Sequence, residues 1–553
     1  MIKLACFNRG FAVYLHKFEG DFFTMLTRKK ILLSVSVTAL VIRIAFAVIF
    51  SGSFFASYHL VPGLDMQTLL RFSEWAPGND HLPFFTFHRV LLYLIWIING
   101  QNHCVWAAFV IQSLLGVAGT AAVADITLRL CRNRKAALIA GIASAAYLPL
   151  LVYEFSILQE TFMVNFALLT FWSMFHALKR RFDTFPSLLF SVVMFAALAG
   201  RPAAVFMGAA IWIFVIYKMF KRKLLKKLLL PVAVLLILLA GASIFNKHFF
   251  GWFSPFYRVM PYTVAYNTGT TDGVSAVSTA DVWHSAVNAA RRVPTLFKYG
   301  ELPENQNIYF WCEKIPLLIL LISPGILIPC AVAGIVVLLL SGAWKKRYGL
   351  LLIPVVMLAL PLCAREAIGR YRLMLVPYFF MIAACAAVIY CRMRYGKRKI
   401  LVVTGALAGF CFSVYDGDVP ERIRASDYHA YALAMENTSG TDKEEILKEY
   451  FRYWERSDFR GSRAFRVMMD KALQFGNIPV ALAVAGQAEI SGSISPDLIN
   501  YYRAWCFALS NMPEKVEEHL RAIKNVRSLP PDACKNAFML RDKTAEILKR
   551  RKL

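Results

Sequence analysis

From Ile31 to about Val414 the chain is a succession of apolar runs separated by short basic or mixed segments. A helix needs ~20 apolar residues to cross ~30 Å of hydrocarbon, and such runs recur throughout this stretch. Beyond Asp416 the pattern changes to the three-to-four-residue spacing of amphipathic soluble helices. The pattern predicts an all-α polytopic membrane protein in three parts. These are a cytoplasmic N-terminal extension (1–30), a transmembrane domain (31–415) and a soluble helical domain (416–553). The first apolar run, Ile31–Phe50, is long enough to span, so the N-terminus does not read as a cleaved signal. Met25 opens "MLTRKKILL", which makes it an alternative start to Met1.

Charge sets the topology. Basic clusters stand at Arg28–Lys30, Arg132–Lys135, Lys179–Arg181, Lys218–Lys227, Lys345–Arg347 and Arg392–Lys399. Placing them all in the cytoplasm, as the positive-inside rule expects, fixes the parity of the crossings. About eleven spans result: 31–50, 104–130, 136–152, 161–178, 186–199, 203–217, 229–246, 313–341, 350–363, 372–391 and 400–414. The apolar stretch 84–100 cannot be a further crossing without reversing every later loop, so it reads as a juxtamembrane helix on the outer face. The long external loops are then 51–103 and 247–312, and the turns 153–160, 200–202 and 364–371 share their side. The N-terminus is expected inside the cell inner membrane and the C-terminal domain outside it.

Composition agrees. Of 553 residues, 58% are hydrophobic and 18% charged, against 45–50% apolar in a typical soluble domain. The net charge of +27 would suit a nucleic-acid binder. Residues 416–553, however, hold 22 of the 62 basic and 20 of the 35 acidic residues, a net of +2. The remaining +25 therefore lies in the clusters between apolar runs, and no nucleic-acid partner is expected. The 11 cysteines form no CxxC pair and read as small hydrophobes in helices. Cys506 and Cys534 share the C-terminal domain and could pair outside the cytoplasm.

In that domain the pattern predicts helices at Glu444–Glu455, Ser462–Phe475, Val480–Ile490, Pro496–Leu509 and Pro513–Val526. Turns are signalled by Gly476-Asn477, Gly492 and Asn511-Met512-Pro513, and small residues for packing by Ala481, Ala483, Ala485, Ala504 and Ala508. The hairpins resemble tetratricopeptide (TPR) repeats without a full consensus. Such a domain offers a concave face to a protein partner; a plain helical bundle is the alternative.

Ionisable groups at or near membrane depth are costly and mark function. The first external loop carries Asp65, then Asp80-His81 ahead of Pro83. A carboxylate there could take a proton from a hydroxyl or share a divalent cation. Glu154 and Glu160 bracket the next turn, and Glu160, opening a span, also suits the helix N-terminus. "LAGRPAAV" places Arg201 between two spans, where it could bind phosphate or snorkel. "CAREAIGRYRLMLVP" puts Arg365, Arg370 and Arg372 on the outer face beside Glu366. Three arginines there run against the inside bias and suit an anionic head group, or an internal pairing with nearby acids.

With these residues in view, the chain over ~31–414 resembles the GT-C glycosyltransferases that use dolichyl- or polyprenyl-phosphate sugars. It is most similar to the bacterial branch grouped with protein mannosyltransferases and lipid A aminoarabinose transferases. The features that carry the resemblance are Asp65 in the first loop, "NDHLPFFTFHRVLLYL", Glu160, Arg201-Pro202 and "RYR" at 370–372 followed by Pro377. "MPYTVAYNTGTTDG" with Asn267, and "YGELPENQNIYFWCEKIPLL" with Glu301, resemble large-loop elements of tetratricopeptide-containing members. The first-loop acids are not adjacent, His81 stands where a basic residue is usual, and "YNTGT" lacks the GN dipeptide.

The resemblance implies an inverting transferase that moves a sugar from a polyprenyl-phosphate donor to a glycan, lipid or protein acceptor on the outer face. Asp65 would be the base. Asp80, His81 and Glu160 would hold acceptor or metal, and Arg201, Arg370 and Arg372 the donor phosphate. Glu154, Asn267, Glu301 and Arg365 are further loop candidates. The resemblance leaves a divalent cation (Mg, Mn or Zn) open as a cofactor. The alternatives are a lipid-linked saccharide transporter, which would show broken helices where spans 3 to 6 read as plain, and a non-catalytic scaffold displaying the helical domain.

Overall fold

The computed structural model describes residues 27–62, 64–73, 87–99, 104–200, 203–250, 287–288, 290–300, 306–362, 369–394, 396–415, 423–438, 440–457, 462–492 and 494–552. Among these the protein is all-α, with no strand and a single isolated bridge, between Tyr147 and Ile322. The chain divides into two units. One holds the apolar helices. The other comprises Ser53–Pro62 and Ile423–Leu553, so the segment that leaves the first apolar helix is built into the C-terminal unit.

Six described helices are long and apolar enough to cross a membrane: Arg28–Ser51, Val105–Cys131, Glu160–Lys179, Ala204–Lys221, Leu225–His248 and Leu373–Arg392. The other expected spans are shorter or interrupted, except Lys397–Val414, an unbroken helix of 18 residues that opens on three basic residues. The expected span 136–152 is two helices, Arg134–Ala145 and Leu148–Glu154, with Pro149 in the first turn of the second. The expected span 313–341 is likewise broken, its last part being Pro324–Leu340. Each break exposes backbone groups that apolar surroundings cannot solvate. Here the two breaks satisfy each other: Leu148 N donates to Ile322 O at 3.0 Å and Ile322 N to Ala146 O at 2.9 Å. The expectation of plain helices through this region therefore does not hold at Ala146–Tyr147. Within the stretch 84–100 the described helix is Phe87–Ile98, whose 12 residues rise ~18 Å.

Close packing in this unit rests on aromatic and small residues. Trp311 stacks on Phe50 (centroids 5.9 Å apart, planes 8° apart) and on Phe46 (6.1 Å, 15°), and Phe155 closes on both at 5.3 and 5.1 Å.

In the C-terminal unit the helices are Ala425–Glu436, Lys443–Arg456, Ser462–Gln474, Ile478–Ser491, Pro496–Leu509, Pro513–Ala522 and Pro531–Lys552, each packed on a neighbour. Gly476 (φ 74°) and Gly492 (φ 62°) end two of them in the left-handed conformation glycine favours. The core is built on Tyr450, Trp454, Phe465, Met468 and Met469, all fully buried. Ala481, Ala485 and Ala504 are buried as expected, but Ala483 faces outward; the helical period brings Ala488 inward instead. Phe54 and Phe55 of the segment after the first span pack on Tyr431 at 5.6 and 5.3 Å. Cys506 and Cys534 are both free thiols.

Candidate functional site

Asp65 opens the helix Asp65–Ser73, Glu160 opens the apolar helix Glu160–Lys179, and Arg370 lies in the short turn of helix Gly369–Arg372. The fold brings these three together. Arg370 Nη1 donates to Asp65 Oδ2 at 2.8 Å, and Arg370 Nε lies 3.8 Å from Glu160 Oε1. The guanidinium therefore stands between two carboxylates of unlike exposure. The Asp65 side chain is 48% exposed, that of Arg370 14% and that of Glu160 2%. Arg370 is thus hydrogen-bonded to the more exposed carboxylate and in ion-pair range of the buried one.

The surroundings explain how each group is held. Met66, next to Asp65, is buried, and its Sδ accepts from Ile157 N at 3.3 Å and Gln306 Nε2 at 3.6 Å. Gln306 in turn accepts from Trp311 Nε1 at 3.0 Å. Ile157 belongs to the turn leading to Glu160, so one sulfur ties the first-loop helix both to that turn and to the segment before Trp311. Gln112 braces the same turn, its Nε2 donating to the carbonyls of Glu154 and Ser156 at 2.9 and 3.0 Å.

Arg372 is 3% exposed and donates to two backbone carbonyls, Lys298 at 2.6 Å and Gly300 at 3.1 Å. The same segment is strapped to the last apolar helix: Tyr299 N donates to Ser413 O at 3.0 Å and Lys298 Nζ to Phe412 O at 2.7 Å. In this arrangement Arg372 anchors the end of the large loop.

Glu154 does not join the three. It is paired with Arg43 of the first apolar helix, which donates through Nε and Nη2 at 2.7 and 2.6 Å. Arg43 was not among the residues singled out from the sequence, although an arginine inside "LVIRIAF" is the kind of intramembrane charge that signals a partner. Asp125 was also missed. It sits inside Val105–Cys131, 1% exposed, and accepts from Arg28 (2.7 and 2.9 Å), Arg129 (2.9 Å) and Trp172 (2.9 Å). Arg129 also meets His176 Nε2 at 2.9 Å. Asp80, His81, Arg201, Asn267, Glu301 and Arg365 lie outside the described residues.

The described residues do not fit a metal centre. The cation between Asp65 and Glu160 is the Arg370 guanidinium itself, and no group of three His, Cys, Asp or Glu side chains among the described residues could hold an ion.

No protein-family model matches the chain, and no curated protein matches it. Among solved structures, the chain is similar to the oligosaccharyltransferase of Archaeoglobus fulgidus, crystallised with zinc and sulfate. Identity is 15% and the TM-score 0.38, over 76% of this chain. This chain spans only 57% of that protein, and at that TM-score the likeness carries no argument about activity.

Proposed function

We propose that this protein is an integral membrane glycosyltransferase of the GT-C kind. It transfers a sugar from a polyprenyl-phosphate donor to an acceptor hydroxyl on the extracytoplasmic face. The observation that carries the reading is the Asp65–Arg370–Glu160 constellation, assembled from three distant segments among helices long and apolar enough to cross a membrane. Asp65 takes the proton of the acceptor hydroxyl as its oxygen attacks the anomeric carbon. The bond from that carbon to the phosphate oxygen breaks on the opposite side, which inverts the centre and releases polyprenyl phosphate. Arg370 turns its planar donors to the phosphate as charge develops there, and Glu160 holds the guanidinium in place. Arg201 and Arg365 would add to the phosphate site, and Asp80 and His81 to the acceptor side.

The C-terminal unit takes in residues 53–62, which directly follow the first span, and this supports an extracytoplasmic position for it. Its helical hairpins suit a partner or acceptor protein.

A second reading, a carrier of lipid-linked saccharides, is favoured by the helix breaks at Ala146–Tyr147 and before Pro324. The two are separated with purified protein in lipid nanodiscs, radiolabelled undecaprenyl-phosphate sugars and membranes from a strain lacking the protein as acceptor. Transfer of label to acceptor that is lost in Asp65→Asn supports the transferase. Movement of intact donor across proteoliposomes without bond cleavage supports the carrier.

A further inference from the structure

A second site lies away from the Asp65 constellation. Two short connections, 180–183 and 222–228, join pairs of apolar helices and meet at a cavity of about 550 Å³. Its walls are Phe182 and Asp183 from one connection with Thr184 at the start of the helix that follows, Lys226 and Lys227 from the other, and Leu229 and Leu230 from the start of the next helix. The chemistry is divided. Lys227 Nζ is 3.3 Å from Asp183 Oδ1, with both side chains about half exposed, whereas Leu229 and Leu230 are 72% and 39% exposed on a helix apolar enough to span. One side of the cavity is therefore cationic and the other continuous with the exposed apolar surface of that helix.

The charge around it is one-sided. Residues 179–183 and 218–227 contain nine Lys and Arg and a single acid, Asp183. The connections are also set in shape. Arg181, Phe182 and Lys223 hold left-handed backbone (φ 52°, 57° and 55°), a conformation that costs non-glycine residues energy unless surroundings enforce it. The enforcement is visible. Phe182 is buried edge-on against Phe190 at 5.7 Å, its carbonyl accepts from Ser187 Oγ at 2.9 Å, and Arg222 Nη1 donates to Leu178 O at 2.7 Å across the two connections.

We propose that this cavity binds an anionic phospholipid of the surrounding bilayer. Lys226 and Lys227 take the phosphate, and the acyl chains run down Leu229 and Leu230. Asp183 is the built-in competitor: it already pairs with Lys227, so a bound phosphate shares or displaces it. Clusters of Lys and Arg beside a spanning helix attract anionic head groups through just this chemistry. The site is independent of the proposed transferase activity.

The test is native mass spectrometry of the full-length protein in detergent, titrated separately with phosphatidylglycerol, phosphatidylcholine and inorganic phosphate. Phosphatidylglycerol is expected to bind at a discrete stoichiometry. Lys226→Gln/Lys227→Gln should weaken it about tenfold or more, and Lys345→Gln/Lys346→Gln, in another basic cluster, should leave it unchanged. Asp183→Asn should tighten it, a gain that a misfolded variant would not give. Equal binding by wild type and the 226/227 variant would overturn the proposal. So would equal binding of phosphatidylcholine, or displacement of the lipid by millimolar phosphate, which would identify a free-phosphate site.

Discussion

Arg43 and Glu154 are 111 residues apart in sequence and face each other through two hydrogen bonds of 2.7 and 2.6 Å, each side chain 2% exposed. Neither charge is tolerable alone in such surroundings, so the pair couples the first apolar helix to the turn that leads to Glu160. Removing one partner leaves a buried charge and costs ~3–5 kcal/mol, whereas replacing both with apolar residues of similar size is far milder. Arg43→Met and Glu154→Leu should therefore each lower the thermal midpoint in detergent by much more than the double variant. Additive losses would show that the pair is not coupled.

Gly116 tests the same pair from the side. A Cβ added there would collide with Glu154 Oε1 and stand 2.6 Å from Arg43 Nη2. Gly116→Ala should displace the pair and destabilise by ~1–3 kcal/mol. In the Arg43→Met/Glu154→Leu background it should cost measurably less, read by the same melting experiment.

These two residues also mark the limit of what the sequence reveals. Apolar run length predicted the six long helices, and residue spacing predicted five helices of the C-terminal unit within a few residues. Glu160 and Arg370 were legible as candidates because each stands at the edge of an apolar run, and Asp65 because it lies in the loop between the first two runs. Arg43 and Asp125 were not, because each lies inside a run whose hydropathy hides it; Glu154, Arg28 and Trp172, which pair with them, come from other segments, while Arg129 shares the helix of Asp125. The break at Ala146–Tyr147 escaped notice because its backbone groups are satisfied by Ile322, 175 residues further on, a contact no local pattern encodes. The inclusion of residues 53–62 in the C-terminal unit is non-local in the same way.

Sidedness gives a third prediction. If the C-terminal unit and Asp65 are extracytoplasmic and the 222–228 connection cytoplasmic, a membrane-impermeant maleimide on intact spheroplasts should label a cysteine placed at exposed Lys448. It should spare one placed at Lys223 until the membrane is permeabilised. The reverse pattern would invert the proposed topology.

Two histidines of the C-terminal unit predict a response to acid. Burial holds both His429 and His519 below the usual histidine range. Nearby Arg463 and Lys471 add to this for His429, against Glu436; Arg503 and Lys515 add to it for His519, against Glu489 and Glu518. The unfolded chain takes up these protons at about pH 6.5 and the native state only at lower pH, so stability falls as pH drops below ~6.5. Melting followed by near-ultraviolet circular dichroism should be lower at pH 5.5 than at pH 7.5. His429→Gln/His519→Gln should reduce the difference; an unchanged difference would remove these residues as its source.

Asp65 and Arg370 stand 2.8 Å apart, and the proposed transfer reaction depends on both. The most direct measurement is the rate at which purified protein in nanodiscs moves labelled sugar from undecaprenyl phosphate to acceptor membranes, compared with Asp65→Asn at equal folded concentration. A loss of about 10²-fold or more is expected in the variant, as when a positioned base is removed. Transfer at the wild-type rate by Asp65→Asn would contradict it.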